Sequence, residues 1–359
     1  MRAFYTVPIL LLASAPAFAQ EQLVVLAATR AGRIEIFDDN LAPISSIGVN
    51  RNVESVTASP DGRRLYVAQE NPRNSGTCCG LFSLDLETKR MCLLATGALY
   101  GAPSPDGRLL FTQGKSGVDV FDGASLTRLT TMKAPGAYNL QPSPDGRWLF
   151  GVTNSPKPSL DIFDLKSGTL ARRLPIPSGP ATGVWAGSAF YLYTYGDAGK
   201  GQLWTVKPED TVLPQAKTVS LPDLHRECDK PVLLMLAGAP NRLFLAEAFG
   251  FKVDRREACP DAASGGIFDI YPSSVGVNQF APSVHVKRMV ASSDGHDFYV
   301  LEAGGSGSQS NPRLLHFDRT TTRIINRADL EPGDWNLAVA HIPAALIPRA
   351  NVHAASCSR

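Results

Sequence analysis

The pentapeptide Ser-Pro-Asp-Gly-Arg occurs three times, at Ser59–Arg63, Ser104–Arg108 and Ser143–Arg147, and a degenerate copy, Ser-Ser-Asp-Gly-His-Asp, occupies Ser292–Asp297. The full copies start 45 and then 39 residues apart (59 to 104, 104 to 143), and the fourth follows 149 residues after the third, close to three longer periods. Self-similarity at about 40 to 45 residues means that one supersecondary unit is stacked on copies of itself, and the blade of a propeller is such a unit. The pentapeptide reads as a type I turn, with Ser first, Pro supplying a preset φ second and Gly fourth. A phosphate loop would need a Gly-rich segment opening a helix, and no helical periodicity follows any copy.

The apolar pieces around each copy are short, β-branched or aromatic, and bounded by Gly, Pro, Asn and Asp, so they read as strands. A strand such as "VESVTA" precedes the turn and one such as "RRLYVAQ" follows it. A third ends in "FD" or its equivalent, which places Asp38, Asp85, Asp122, Asp164 and Asp318 in one register, and a fourth such as "TLARRLPI" completes the unit. Those five aspartates stand where a carboxylate accepts backbone N–H groups of its own hairpin turn, a structural role. Four antiparallel strands per repeat is the content of a propeller blade.

Complete units start near Val53, Ala98, Ala137, Ala181, Pro231 and Val286. The seventh is split: the amino-terminal end supplies "QLVVLAA", "GRIEIFDD" and "APISSIGV", and the carboxyl-terminal end supplies "WNLAVAHI" as its first strand. The expected fold is therefore all-β, a seven-bladed β-propeller closed by pairing the C-terminal first strand with the N-terminal blade, which leaves no open sheet edge at the seam. The expected organisation is a signal peptide over 1–19, one propeller over 20–342 and a C-terminal tail over 343–359. A long insertion, roughly Phe249 to Gly265, separates the second and third strands of the sixth blade.

The signal-peptide reading rests on Arg2, the apolar stretch after it and Ala17-Phe18-Ala19, a small-x-small site that a signal peptidase accepts. It implies a periplasmic or secreted protein, and no later segment reaches the ~18 apolar residues of a membrane-spanning helix. A formal net charge of +2 and no basic run with interleaved aromatics argue against a nucleic-acid partner. Six cysteines in an exported chain point to disulfides. Cys228 with Cys259 is the first candidate bridge, adjacent Cys78 and Cys79 permit either a vicinal disulfide or one external partner each, and Cys92 and Cys357 remain without an assigned partner; sequence does not separate the fifteen possible pairings. No Cys-x-x-Cys pair, His-Glu-x-x-His, Gly-x-Ser-x-Gly or dinucleotide fingerprint occurs, so no metal, cofactor or catalytic residue is assigned.

The turn register also locates a face. The eleventh residue from each motif start, at the end of the second strand, is Gln69, Gly114, Thr153 or Glu302, and aligning "NRLFLAEA" with "RRLYVAQE" adds Glu247. In a propeller these positions share one face with the starts of the first strands. The candidate ligand-binding residues there are Gln69, Glu70, Tyr138, Asn139, His225, Glu247, Glu302 and Trp335. Carboxylates with aromatics suit an organic cation, whereas solvated strand-end glutamates are the structural alternative.

The stretches "SPDGRRLYVAQ", "SPDGRWLFGVT" and "GVDVFDGASLTRL" resemble YVTN-type seven-bladed propeller repeats of exported bacterial proteins. The arrangement closed by "WNLAVAHI" and begun by "QLVVLAATRAGRIEIFD" is similar to the quinoprotein amine dehydrogenase β-chain class. The resemblance implies a scaffold, because in that class the quinone sits in a small partner subunit and not in the propeller. The favoured expectation is a non-catalytic propeller that binds a protein partner or a small ligand, a cation included. The alternatives are a subunit of an amine dehydrogenase-like oxidoreductase and a propeller hydrolase of the lactonase type.

Overall fold

The computed structural model describes residues 21–29, 31–49, 51–70, 79–153, 157–177, 181–195, 200–220, 233–239, 242–248, 251–252, 257–258, 267–274, 276–279, 286–292, 297–302, 311–318, 320–331 and 335–357. Seven antiparallel sheets of four strands, two of them widened to five by the tail, stand in a ring, and a two-stranded hairpin, Phe251–Lys252 with Glu257–Ala258, lies in the blade-six insertion. The chain is a seven-bladed β-propeller. The innermost strands, in chain order from blade two, are Val53–Ala58, Gly101–Pro103, Tyr138–Pro142, Ala181–Ala186, Leu233–Ala239, Val286–Ala291 and, for blade one, Trp335–Pro343. Each packs against the next, and Trp335–Pro343 lies between blades seven and two.

Closure follows the expected route. Trp335–Pro343 pairs antiparallel with Glu21–Thr29 over nine residue pairs, from Glu21 opposite Pro343 to Thr29 opposite Trp335. The core is divided as a ring requires, because a strand turns alternate side chains to its two neighbours. Val24, Leu26 and Ala28 face blade two, whereas Val25 and Ala27 face blade seven. Seven apolar clusters of described residues result, one at each interface between blades.

The turns behave as their chemistry dictates. Gly62 N donates to Ser59 O at 2.9 Å and Asp61 Oδ1 accepts from Arg63 N at 3.1 Å, while Arg64 N donates back to Ser59 Oγ at 3.0 Å. The same bonds recur at Ser104 and Ser143, and the fourth glycine is left-handed each time, with φ of 64°, 70° and 68° at Gly62, Gly107 and Gly146. The "FD" aspartates accept turn amides: Asp38 from Asn40 and Ala42, Asp85 from Glu87 and Thr88, Asp122 from Ala124 and Ser125, Asp164 from Lys166, and Asp318 from Thr320 and Thr321. The Ser125 amide and hydroxyl hold the Asp122 carboxyl below the usual carboxylate range, and the Thr321 amide does the same for Asp318.

The carboxyl-terminal segment is structured as a strap. After a 3-10 turn at Ala344–Leu346, Val352–His353 runs parallel to the outer strand of blade one and Ala355–Ser356 parallel to that of blade two. A disulfide joins Cys357 to Cys92 on the blade-two outer strand, with Cα atoms 5.2 Å apart. This pairs the two cysteines that the sequence left without a partner. The Cys78–Cys79 and Cys228–Cys259 bridges, and residues 1–19, lie outside the described residues or side chains.

Candidate functional site

The strand register brings the eleventh positions to the same end as the starts of the inner strands. Gln69 pairs with Val53, Glu302 with Val286, Glu247 with Leu234, and Trp335 with Thr29. Gathering on one face does not give these residues one role. Gln69 is fully buried, and its Nε2 donates to the carbonyls of Val49 at 3.0 Å and Arg51 at 3.4 Å, bracing the passage from blade one to blade two. Glu302 is buried, and Arg313 on the next strand clamps it, Nε at 2.7 Å and Nη2 at 2.6 Å from Oε2. Its charge is met within its own blade. The side chains of Glu70, Glu247 and Trp335, and all of His225, lie outside the described residues.

Tyr138 and Asn139 instead open inwards. They line a cavity of about 600 Å³ in the central channel, together with Glu54, Tyr100, Gln141, Arg288 and Asn336 among others. That is a volume suited to a small organic molecule. All these residues come from the innermost strands or, for Tyr100, the residue just before one, drawn from blades one, two, three, four and seven.

The walls are fixed by hydrogen bonds that cross from blade to blade. Ser55 Oγ donates to Leu99 O at 2.6 Å and Thr57 Oγ1 to Gly101 O at 2.8 Å, tying blade two to blade three. Leu140 N donates to Tyr100 Oη at 2.7 Å, tying blade four to blade three. Trp185 Nε1 donates to Gln141 O at 3.1 Å and Asn139 Nδ2 to Gly183 O at 3.3 Å, tying blades four and five. Asn336 Nδ2 donates to the Glu54 carbonyl, which joins the closing strand to blade two. Asn139 takes a left-handed φ of 49°, a conformation Asn tolerates better than most residues, and so aims its amide at the neighbouring blade.

Charge in the channel is unevenly met. Elsewhere, acid and arginine sit together inside a blade: Asp161 with Arg173 at 2.7 Å, Asp119 with Arg128 at 2.6 Å, and buried Asp269 with Arg242. Arg288 has no such partner among the described residues; its Nη1 donates to Lys287 O at 3.2 Å. Burial lowers the Arg288 pKa, and the Glu54 carboxylate acts in the opposite direction. Burial raises the Tyr138 hydroxyl to about 12 and pushes Tyr100 up as well, so both phenols keep their protons at physiological pH. The cavity therefore offers a guanidinium on the blade-seven side, a carboxylate on the blade-two side, and two protonated phenols on the wall of blades three and four.

Sequence reasoning reached Tyr138 and Asn139 but missed Glu54, Tyr100 and Arg288. The available signal was polar residues in strands otherwise read as buried: Glu54 in "VESVTA" and Arg288 in "VKRMVA" have no place in an apolar core.

No family model and no curated protein sequence matches the chain. The structure is similar to that of a dihydro-heme d1 dehydrogenase, NirN, in complex with DHE, at 13% identity and a TM-score of 0.54 over 88% of this chain and 75% of that one. It is also similar to Kuenenia stuttgartiensis hydrazine synthase, at 14% identity and a TM-score of 0.54 over 84% of this chain and 90% of that one. At such identities the likeness speaks for the fold alone: the chain shares a propeller architecture with both.

Proposed function

We propose that this chain is an exported, periplasmic propeller that binds a small molecule in its central channel and serves as a non-catalytic binding or scaffold protein. The observation that carries this reading is the cavity of about 600 Å³, walled by side chains that interblade hydrogen bonds hold in place. Preorganised polar walls lower the ordering cost of binding. Export is supported by the residues of the first nineteen positions and by the Cys92–Cys357 disulfide, a bond that persists in oxidising compartments. The alternative reading, a subunit of an amine dehydrogenase-like enzyme or a lactonase-type hydrolase acting near Glu247 and Glu302, finds less support, since the Arg313 clamp leaves the Glu302 carboxylate poorly placed as a base.

The test is a thermal-shift screen of a chemically diverse metabolite set against the wild-type protein and a Gln141→Trp variant, whose indole fills the channel. Stabilisation by some compounds that disappears in the variant is expected. Equal shifts in both proteins, or none in either, would refute channel binding.

A further inference from the structure

The channel reading can be carried to a ligand class, and the step rests on that reading. Three of the inner strands break register near their starts: between Val53 and Ser55, between Tyr138 and Gln141, and between Val286 and Arg288. All three line the cavity, whereas the inner strands of blades five and six run in unbroken register and do not. A break of this kind re-aims the side chains around it. In blade seven the first paired residue after the break is Arg288, and it stands on the channel wall.

The backbone acceptors of that wall are largely spent. The Leu99 and Gly101 carbonyls take the hydroxyl protons of Ser55 and Thr57, the Gln141 carbonyl takes the Trp185 indole, and the Glu54 carbonyl takes the Asn336 amide. Donors are left over. Half-buried Arg288 places an N–H of its five-donor fork on Lys287 O and makes no ion pair among the described residues. Tyr100 Oη accepts the Leu140 amide and so keeps its own proton to give, and burial keeps both Tyr100 and Tyr138 protonated. Glu54, also on the wall, already has a partner, and the ligand needs nothing from it. A guanidinium with unspent donors in a partly desolvated space is met best by an anionic acceptor, because both an unpaired charge and an unused donor are costly there.

We propose that the channel binds a small organic carboxylate with an apolar body. The carboxylate lies on Arg288, whose planar guanidinium can present two parallel N–H donors to it. The body extends along the wall of blades three and four, where Leu99, Ala102, Pro103 and Leu140 offer apolar surface and the two phenols can donate to a further oxygen. Leu99 is 42% exposed, and such a body would cover it. A cavity of about 600 Å³ with this lining is larger and more apolar than an inorganic oxoanion would fill.

The experiment is calorimetric titration of the full chain with 4-phenylbutyrate and indole-3-acetate, with the primary amide of each, and with 4-phenylbutylammonium and sulfate. At least one carboxylate should bind tenfold or more tightly than its amide, and more tightly than the ammonium or sulfate. Arg288→Gln should weaken that carboxylate at least tenfold and leave the amide within twofold, and Arg288→Lys should keep part of the preference. The wild-type series decides the matter even if a variant folds poorly. A preference for acid over amide below tenfold, ammonium or sulfate binding as tight as that of the carboxylates, or no binding by either carboxylate overturns the proposal, as does a preference that survives intact in a folded Arg288→Gln protein. If neutral compounds from the screen still bind the channel in those cases, the channel reading survives and only the ligand class falls.

Discussion

Replacing Cys92 and Cys357 by serine removes the covalent tie between the strap and the outer strand of blade two. The bridge closes a sequence separation of 265 residues. For a loop of that length the chain-entropy relation gives about 5 to 6 kcal/mol of denatured-state destabilisation, an upper value because real denatured chains are compact. Loss of about 3 to 5 kcal/mol is the expected outcome. A smaller part is local: Ala354 N to Gly48 O at 2.8 Å, Ala355 N to Lys89 O at 2.8 Å and Cys357 N to Met91 O at 3.1 Å hold the strap, and its own Ile347 and Ala354 are buried against blades one and two. Those contacts keep the strap docked without the bond. Urea unfolding followed by tryptophan fluorescence under oxidising conditions measures the difference. With reductant present, wild type and variant should converge, because the tie is then absent from both. A cost below about 1 kcal/mol, or one that persists undiminished under reduction, would refute a role through the unfolded chain.

Arg242→Ala strands the buried Asp269 carboxylate and should cost about 3 kcal/mol or more, whereas Arg173→Ala should cost about half as much, because Arg173 is 46% exposed; equal losses in urea unfolding would count against this ranking. Gly62→Ala and Gly146→Ala test one motif in two settings: both glycines are left-handed, but a Cβ at Gly62 would stand 2.0 Å from His341 O whereas one at Gly146 meets nothing within 4 Å. Gly146→Ala should therefore cost about 1 kcal/mol and Gly62→Ala distinctly more, read as melting-temperature shifts. The folded-state pKa values of Asp122 and Asp318 are lowered, so the stability they contribute is present above the unfolded carboxyl value near 4 and is lost as pH falls through the lowered folded values; NMR titration midpoints at or above that value would contradict the turn-capping account. Amino-terminal sequencing of the protein recovered from a periplasmic fraction should begin at Gln20, and an intact Met1 there would count against cleavage.

Much of the ring was legible because turn chemistry is local. Ser59, Pro60, Asp61 and Gly62 specify their reversal with nothing beyond the next few residues, and a repeat of such turns counts blades. The seam was legible because "WNLAVAHI" had no partner in its own neighbourhood. The site was harder to read, since channel lining depends on how seven strands lean together. Arg288 and Glu54 become neighbours only once the closing strand is seated between them. The fate of Glu302 was a question of register: it stands directly opposite Arg313 on the next strand, a pairing between strands that sequence alone does not align. The partner of Cys92 was obscure for a similar reason, as the strap reaches blade two only by crossing the outer edge of blade one.

The seam also imposes an order on biogenesis. Glu21–Thr29 is made before blades two to seven, and its partner Trp335–Pro343 after them. Throughout synthesis, blade one therefore carries an unpaired edge whose Val24, Val25 and Leu26 are all buried in the finished ring. Such an edge invites pairing with a foreign strand until its own arrives. Seating of Trp335–Pro343 removes that edge, and the strap that follows it carries Cys357 to Cys92.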